Sequence, residues 1–384
     1  MLPLSLYIHL PWCIRKCPYC DFNSHEFKHS ILEEAYVKAL IEDLDENLST
    51  IEGRQLSSIF FGGGTPSLFS SKAIEMILTA IQKRLDFSHH IEITLEANPG
   101  TIDGARFKGF KHAGINRLSI GIQSLQDAKL KALGRIHNRD HALQAIELAI
   151  GAGFNNFNLD IMHGLPEQSV QDAMNDLQDC LKFSPPHLSW YQLTIEPNTF
   201  FHHKPPVLPE EETLWEIQNQ GKSLLASQGL SQYEVSAYAK PDHACVHNRN
   251  YWEFGDYLGI GAGAHSKITD LDKKTIRRHW QIKHPNDYLD PAKNKTAHST
   301  ILETKDIIFE FMLNALRLTQ GVSTSLFMER TGLDIKIIEP VLDEAKQKKL
   351  LIDDPSRIQT SELGMQFLNN TIALFLPKTA RKAR

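Results

Sequence analysis

Leu4-Ser5-Leu6-Tyr7-Ile8-His9-Leu10, followed at once by Pro11-Trp12-Cys13-Ile14-Arg15-Lys16-Cys17-Pro18-Tyr19-Cys20, decides how the rest of the chain is read. The first seven residues are apolar enough to be buried on both faces, as in a strand of a parallel sheet. The next ten place three cysteines in the loop after that strand. Thiolates are soft ligands suited to zinc, copper(I) or iron–sulfur clusters. Three readings compete at this level. Cys17-Pro18-Tyr19-Cys20 alone is a redox dithiol pattern. A closed zinc site needs a fourth ligand, which His9 or His25 would supply. Three thiolates with no fourth leave one corner of a four-iron cluster open.

Working outward, short β-rich runs recur at 4–10, 58–61, 91–96, 117–122, 157–162 and 188–195. Between them apolar residues fall at helical spacing over 31–48, 73–85, 106–113, 141–152, 170–183 and 211–228. Ser70 and Ser169 are placed to cap two of these helices, and Asn98-Pro99-Gly100 and Ala113-Gly114 punctuate the pattern. Strands alternating with helices predict an α/β fold, a partial (β/α)6 TIM-type barrel. Ligands in such folds sit on the loops after the strands. Chemistry is therefore expected just after residues 10, 61, 96, 122 and 162. The alternation stops near 235. Residues 1–235 read as the barrel core. Residues 236–300 read as a loop-rich connecting segment, with 285–300 a polar linker. Residues 301–384 read as a small helical, winged-helix-like domain with helices at 305–318, 323–330, 335–348 and 362–368 and a strand at 350–352.

Composition narrows the function. The 384 residues carry 41 basic and 46 acidic side chains, a net charge of −5 that gives no electrostatic reason to expect nucleic acid. The basic end Lys378–Arg384 reads as a solvated tail. The amino terminus lacks signal-peptide features and no apolar run is long enough to span a bilayer, so a cytoplasmic location is expected. Five cysteines, three of them bunched, argue for a metal or redox site in a reducing compartment, not a disulfide framework. Most of the 18 histidines read as surface residues. Cys180 and Cys245 read as buried thiols, with Cys245 a rival ligand to the histidine that follows it.

Cys13-x-x-x-Cys17-x-x-Cys20 after the first strand of a βα repeat resembles the radical S-adenosylmethionine (radical SAM) superfamily. The resemblance implies a [4Fe–4S] cluster on Cys13, Cys17 and Cys20, with S-adenosylmethionine on the open iron. Phe61-Gly62-Gly63-Gly64-Thr65-Pro66 resembles the superfamily's glycine motif for the methionyl amino group. Thr65 stands where many members have an acidic residue. The run is not a P-loop, because no Gly-Lys-Ser/Thr follows. Tyr7, Tyr19, Gly63, Gly64, Thr65, Glu96, Gln123, Arg135 and Asp160 resemble the S-adenosylmethionine contacts. By chemistry, Arg135 suits the carboxylate, Glu96 the ammonium, and Gln123 and Asp160 the ribose hydroxyls.

Together with Gly121-Ile122-Gln123-Ser124 and Phe311-Met312-Leu313-Asn314-Ala315-Leu316-Arg317, these stretches resemble the oxygen-independent coproporphyrinogen III oxidase family over nearly the whole chain. That family contains true dehydrogenases and a heme-chaperone branch. The dehydrogenases have a further cysteine two positions after the third; here it is Phe22. They also have an extension before the first strand. Both departures argue against decarboxylation. His247-Asn248-Arg249-Asn250-Tyr251-Trp252 resembles the chaperones' heme-binding stretch. In that reading His247 is the axial ligand, Arg249 meets a propionate, and Tyr251 or Trp252 stacks on the macrocycle. The implied function is a heme carrier that delivers to respiratory hemoproteins at the membrane, with no catalytic residue assigned. It would use a low-potential electron donor, and a homodimer is compatible. The alternatives are coproporphyrinogen III decarboxylation and radical chemistry on another tetrapyrrole.

Overall fold

The computed structural model describes residues 2–27 and 31–376; the basic tail at 378–384 lies outside the described residues. A strand exposed on neither face needs apolar side chains toward the helices and whatever the site requires toward the interior. Strand β1 (Leu4–Leu10) does this. Leu4, Leu6, Ile8 and Leu10 are fully buried, and Ser5, Tyr7 and His9 alternate with them.

The same logic builds β2 (Leu56–Gly63), β3 (Phe87–Ala97), β4 (Arg117–Gln123), β5 (Phe157–His163) and β6 (His187–Gln192). These six strands are parallel and adjacent in chain order. Helices α1 (Glu33–Asn47), α2 (Ser71–Gln82), α3 (Gly104–Ala113), α4 (Arg139–Gly151), α5 (Val170–Leu181) and α6 (Glu211–Ser227) alternate with or follow them. Ser70 and Ser169 cap α2 and α5 by accepting from Ala73 and Asp172 backbone N–H groups. This is the partial barrel expected from the sequence.

The expectation for 236–300 is corrected. Beyond β7 (Ser231–Glu234) and β8 (Ala237–Ala239), this stretch contributes β9 (Asp256–Ile260), β10 (His265–Asp270), β11 (Thr275–Gln281) and β12 (Thr296–Ile301). All join one twelve-stranded sheet in the order β12-β11-β10-β9-β1-β2-β3-β4-β5-β6-β8-β7. Strand β9 lies parallel to β1 on the side away from β2. The supposed polar linker holds a short helix, Pro285–Leu289, and β12. Strand periodicity was hidden because these strands bury polar groups on both faces: Lys267, His279 and Gln281 are all buried. Another shortfall is at 350–352, where only Leu351 makes an isolated bridge, to Thr360.

Helix α7 (Val246–Trp252) lies beneath the barrel, and α8 (Thr304–Ala315) opens the carboxy-terminal domain. That domain has its own core around Phe311, Phe327 and Leu342, which also takes in Phe254 and Ile276. It ties both flanks of the sheet. Arg278 of β11 donates to Glu310 of α8 at 2.9 Å, and Arg317 just after α8 donates to Glu234 of β7 at 3.0 Å.

Candidate radical SAM site

The cysteine loop is closed at its base by a two-residue parallel pair, Trp12–Cys13 against His25–Glu26. The loop after β2 is laced to it: Gly64 and Thr65 donate backbone N–H groups to Leu10 and Trp12 carbonyls, each at 2.8 Å. Such lacing requires glycine. A Cβ on Gly64 would meet the Trp12 carbonyl oxygen at 2.6 Å, and one on Gly63 would meet the His9 ring at 2.5 Å.

Each thiol has a polar neighbour within hydrogen-bonding reach. Thr65 Oγ1 donates to Cys13 Sγ at 3.4 Å. Arg135 Nη1 donates to Cys17 Sγ at 3.6 Å, while its Nη2 holds the Gly121 carbonyl at 3.1 Å. Cys20 Sγ and Ser24 Oγ are 3.6 Å apart. Burial pushes the Cys13 and Cys20 thiols up, so a metal that binds there displaces protons. The zinc readings with His9 or His25 do not fit. His9 Nε2 bonds the Asn23 carbonyl at 2.8 Å and its Nδ1 bonds Tyr7 at 3.1 Å; His25 Nε2 bonds Asn23 Oδ1 at 3.1 Å. Among the described residues no three His, Cys, Asp or Glu side chains converge to hold a single ion.

A cavity of about 660 Å³ opens beside this loop, lined in part by Tyr7, Cys20, Gly63, Glu96, Tyr257 and His265. Glu96, at the end of β3, accepts the Gly63 N–H at 3.2 Å. Burial, then the nearby charge of Asp160, pushes its carboxyl up to about 8. Glu96 is thus a nearly unpaired acid facing the cavity, fitted to meet a cationic group. Asp160 sits deeper, accepting from Ser119 and Asn158, each at 2.8 Å. Gln123 ends β4 with φ of 67° and accepts from Tyr191 at 2.7 Å. Tyr19 packs on Phe201, whose N–H bonds the Pro18 carbonyl.

The structure therefore brings Tyr7, Cys13, Cys17, Tyr19, Cys20, Gly63, Gly64, Thr65, Glu96, Gln123 and Arg135 to one end of the barrel, with Asp160 one layer below. It does not bring His247 there. That residue lies in α7 at the opposite mouth, 2 % exposed. Its Nδ1 is 3.0 Å from Ser58 Oγ, its Nε2 is 3.2 Å from Tyr251 OH, and its ring stacks on Phe60. Both ring nitrogens have a hydrogen-bonding neighbour in this arrangement. Of the other members of that stretch, Tyr251 lines the cavity beside the cysteine loop. Arg249 pairs with Glu253 at 2.6 Å, and Arg317 covers the Trp252 ring at 4.3 Å. Cys245 is no better placed as a ligand: it is fully buried and donates to Glu92 at 3.4 Å.

Sequence reasoning missed Tyr191, Asn23, Tyr257, His265 and Lys283. The glycines at 259–263 were the available signal. Gly261 and Gly263 have positive φ, and a Cβ on either would strike the His9 carbonyl or the Asn23 side chain. They let the turn after β9 pack directly on the cysteine loop, where Asn23 donates to the Ala262 and Lys283 carbonyls.

Residues 7–180 match the radical SAM superfamily, and residues 302–367 match the HemN C-terminal domain. The heme chaperone HemW of Escherichia coli is 48 % identical over 374 residues, covering 97 % of this chain and 98 % of that protein. That of Haemophilus influenzae is 49 % identical over 383 residues, with the same two coverages. The chain belongs to the HemW family of radical SAM proteins. Its fold is that of E. coli coproporphyrinogen III oxidase HemN, with a TM-score of 0.80 at 22 % identity, over 97 % of this chain and 90 % of that one. Radical SAM membership implies a [4Fe–4S] cluster and S-adenosylmethionine. No helix among the described residues is long and apolar enough to cross a membrane.

Proposed function

We propose that the protein is a cytoplasmic heme carrier that holds a [4Fe–4S] cluster on Cys13, Cys17 and Cys20 and passes heme to respiratory hemoproteins. The observation that carries the choice of carrier over dehydrogenase is Phe22. It occupies the position of the dehydrogenases' additional cysteine and is 64 % exposed at the cavity lining, where it offers no thiol. Full-length likeness to proteins named heme chaperone supports the same reading.

Bound at this site, the cluster with S-adenosylmethionine supplies one-electron cleavage of the sulfonium bond. The chain's own residues do the rest. Thr65, Arg135 and Ser24 each direct a polar group at one thiol, which orients the ligands and tunes the sulfurs. Glu96 meets the ammonium and is re-ionised by it. Arg135 is shared between Cys17 and the carboxylate. Gly63 and Gly64 let the backbone close on the ligand, while Tyr7, Tyr19, Gln123 and Asp160 line its nucleoside side. An external low-potential donor supplies the electron, and a homodimer is compatible with the carrier role.

The test is incubation of anaerobically reconstituted protein with coproporphyrinogen III, S-adenosylmethionine and a reductant. No decarboxylated product is expected, while heme added to the same preparation is bound. Substrate-dependent protoporphyrinogen formation would overturn the carrier reading.

A further inference from the structure

Behind the cysteine loop lies a second cleft, of about 430 Å³, lined in part by Arg15, Asp127, Lys131, Gly134, Arg135 and His137. None of these residues lines the larger cavity. Arg15 comes from the loop itself, between Cys13 and Cys17. Gly134 lies against Pro18, where a Cβ would come within 2.7 Å of the proline Cδ. Arg135 Nη1 donates to Cys17 Sγ at 3.6 Å, so its guanidinium is the wall between this cleft and the thiols.

The cleft is basic and unsatisfied. Arg15 and Lys131, the latter on the short helix Asp127–Ala132, are exposed and have no ion pair among the described residues. Asp127 already accepts the Arg139 backbone N–H at 2.7 Å. Arg135 Nε and His137 Nδ1 are buried with no hydrogen-bond partner among the described residues. Buried polar atoms left so call for water or a partner. Ile14 and Ile136, next in the chain to Arg15 and Arg135, are exposed. Apolar side chains ringed by charge are the make-up of a protein interface.

We propose that this cleft is where an acidic electron-carrier protein of low potential docks to reduce the cluster. The inference rests on the radical SAM reading with its external donor, and says where that donor binds. The carrier gives up one electron and the cluster gains it, with no proton or group transferred. The larger cavity stays free for S-adenosylmethionine, so electron entry and nucleoside binding do not compete for one surface. The chain has a net charge of −5, so an acidic partner needs a local basic cluster to steer it. Transient redox encounters bury under about 1,200 Å², which a patch of this kind can supply.

The experiment pairs full-length, cluster-reconstituted protein with flavodoxin, an acidic one-electron carrier, under anaerobic conditions. Binding of oxidised flavodoxin is measured by calorimetry at low and high salt. Cluster reduction by the reduced form is followed by stopped-flow absorbance. Wild type, Arg15→Glu, Lys131→Glu and the double variant are compared with Lys83→Glu, whose exposed lysine follows α2 and lines neither opening. The double variant is expected to bind at least about tenfold more weakly and to be reduced at least about tenfold more slowly. High salt is expected to weaken wild-type binding in the same direction. Dithionite, which needs no docking, reduces the cluster in every variant. Lys131 lies outside the cysteine loop, so Lys131→Glu decides alone if Arg15→Glu loads less iron. Wild-type binding and rate in the double variant would overturn the proposal, as would an equal loss in Lys83→Glu. So would wild type that dithionite reduces and flavodoxin does not. Inhibition by phosphate beyond that of chloride at equal ionic strength would make the cleft a small-anion site and overturn it too. Wild type without a dithionite-reducible cluster would instead overturn the cluster reading itself, a result distinct from the others.

Discussion

Thr65 Oγ1 donates to Cys13 Sγ across 3.4 Å, joining the loop after β2 to the loop after β1. Outer partners of metal ligands fix their orientation, and losing one costs about 10–100-fold in metal affinity or activity. Thr65→Val is therefore expected to release cluster iron to a chelator at least about tenfold more readily, whereas Thr65→Ser retains it. Equal retention in Thr65→Val and wild type would remove the hydroxyl from this role.

The three loop cysteines and the two remaining ones should part company. Cys13→Ser, Cys17→Ser and Cys20→Ser are each expected to yield protein without stoichiometric iron and acid-labile sulfide. Cys180→Ala and Cys245→Ala remove fully buried thiols far from the loop and should keep the cluster. Iron and sulfide assays after anaerobic reconstitution decide it. Cluster loss in either of the last two variants, with the protein still folded by circular dichroism, would contradict the ligand set.

Gly134 has φ of 68°, and a Cβ there would sit 2.7 Å from Pro18 Cδ, inside the cysteine loop. Gly229 has φ of 74° and nothing within 4 Å. Gly229→Ala carries only the left-handed backbone cost, about 1–2 kcal/mol. Gly134→Ala carries that and a displaced Pro18. Urea melts should show the larger loss in Gly134→Ala, and iron analysis should show reduced loading there alone. Equal effects would mean that the loop yields freely.

Glu96 gives the apoprotein a pH dependence. Its carboxyl titrates near 8 in the folded chain, against an ordinary 4.5. A raised acid stabilises the fold below the unfolded value, and that contribution is lost as pH rises through the folded value. Stability should fall by about 1.4 kcal/mol per pH unit between those limits. Glu96→Gln should flatten this slope in urea melts taken across the window. Adding S-adenosylmethionine to wild type should also reduce it, because the ammonium favours the ionised carboxylate. An unchanged slope in Glu96→Gln would assign the dependence to another group.

The barrel half of the molecule was legible because its strands separate two jobs: Leu4, Leu6, Ile8 and Leu10 face the helices while Ser5, Tyr7 and His9 face inward. The cysteines, Thr65 and Arg135 were legible as chemistry placed where a βα loop must fall. The flank from 236 to 300 was not. Lys267 is buried there because Asp256 accepts from it at 2.9 Å and the Phe254 ring lies 4.1 Å away. A lysine so partnered looks like surface in a sequence. The surroundings of His247 were equally hidden. A histidine in an aromatic stretch suggests a ligand, but its contacts with Ser58 and Tyr251 come from a strand distant in sequence and from one helical turn away, which no local pattern shows.

Helix α7, with Glu92 accepting the Val246 and His247 backbone N–H groups, stoppers the barrel from below. A vessel so stoppered has one neck. With the other end closed, a small ligand reaches the thiols and leaves them by the one opening beside the cysteine loop.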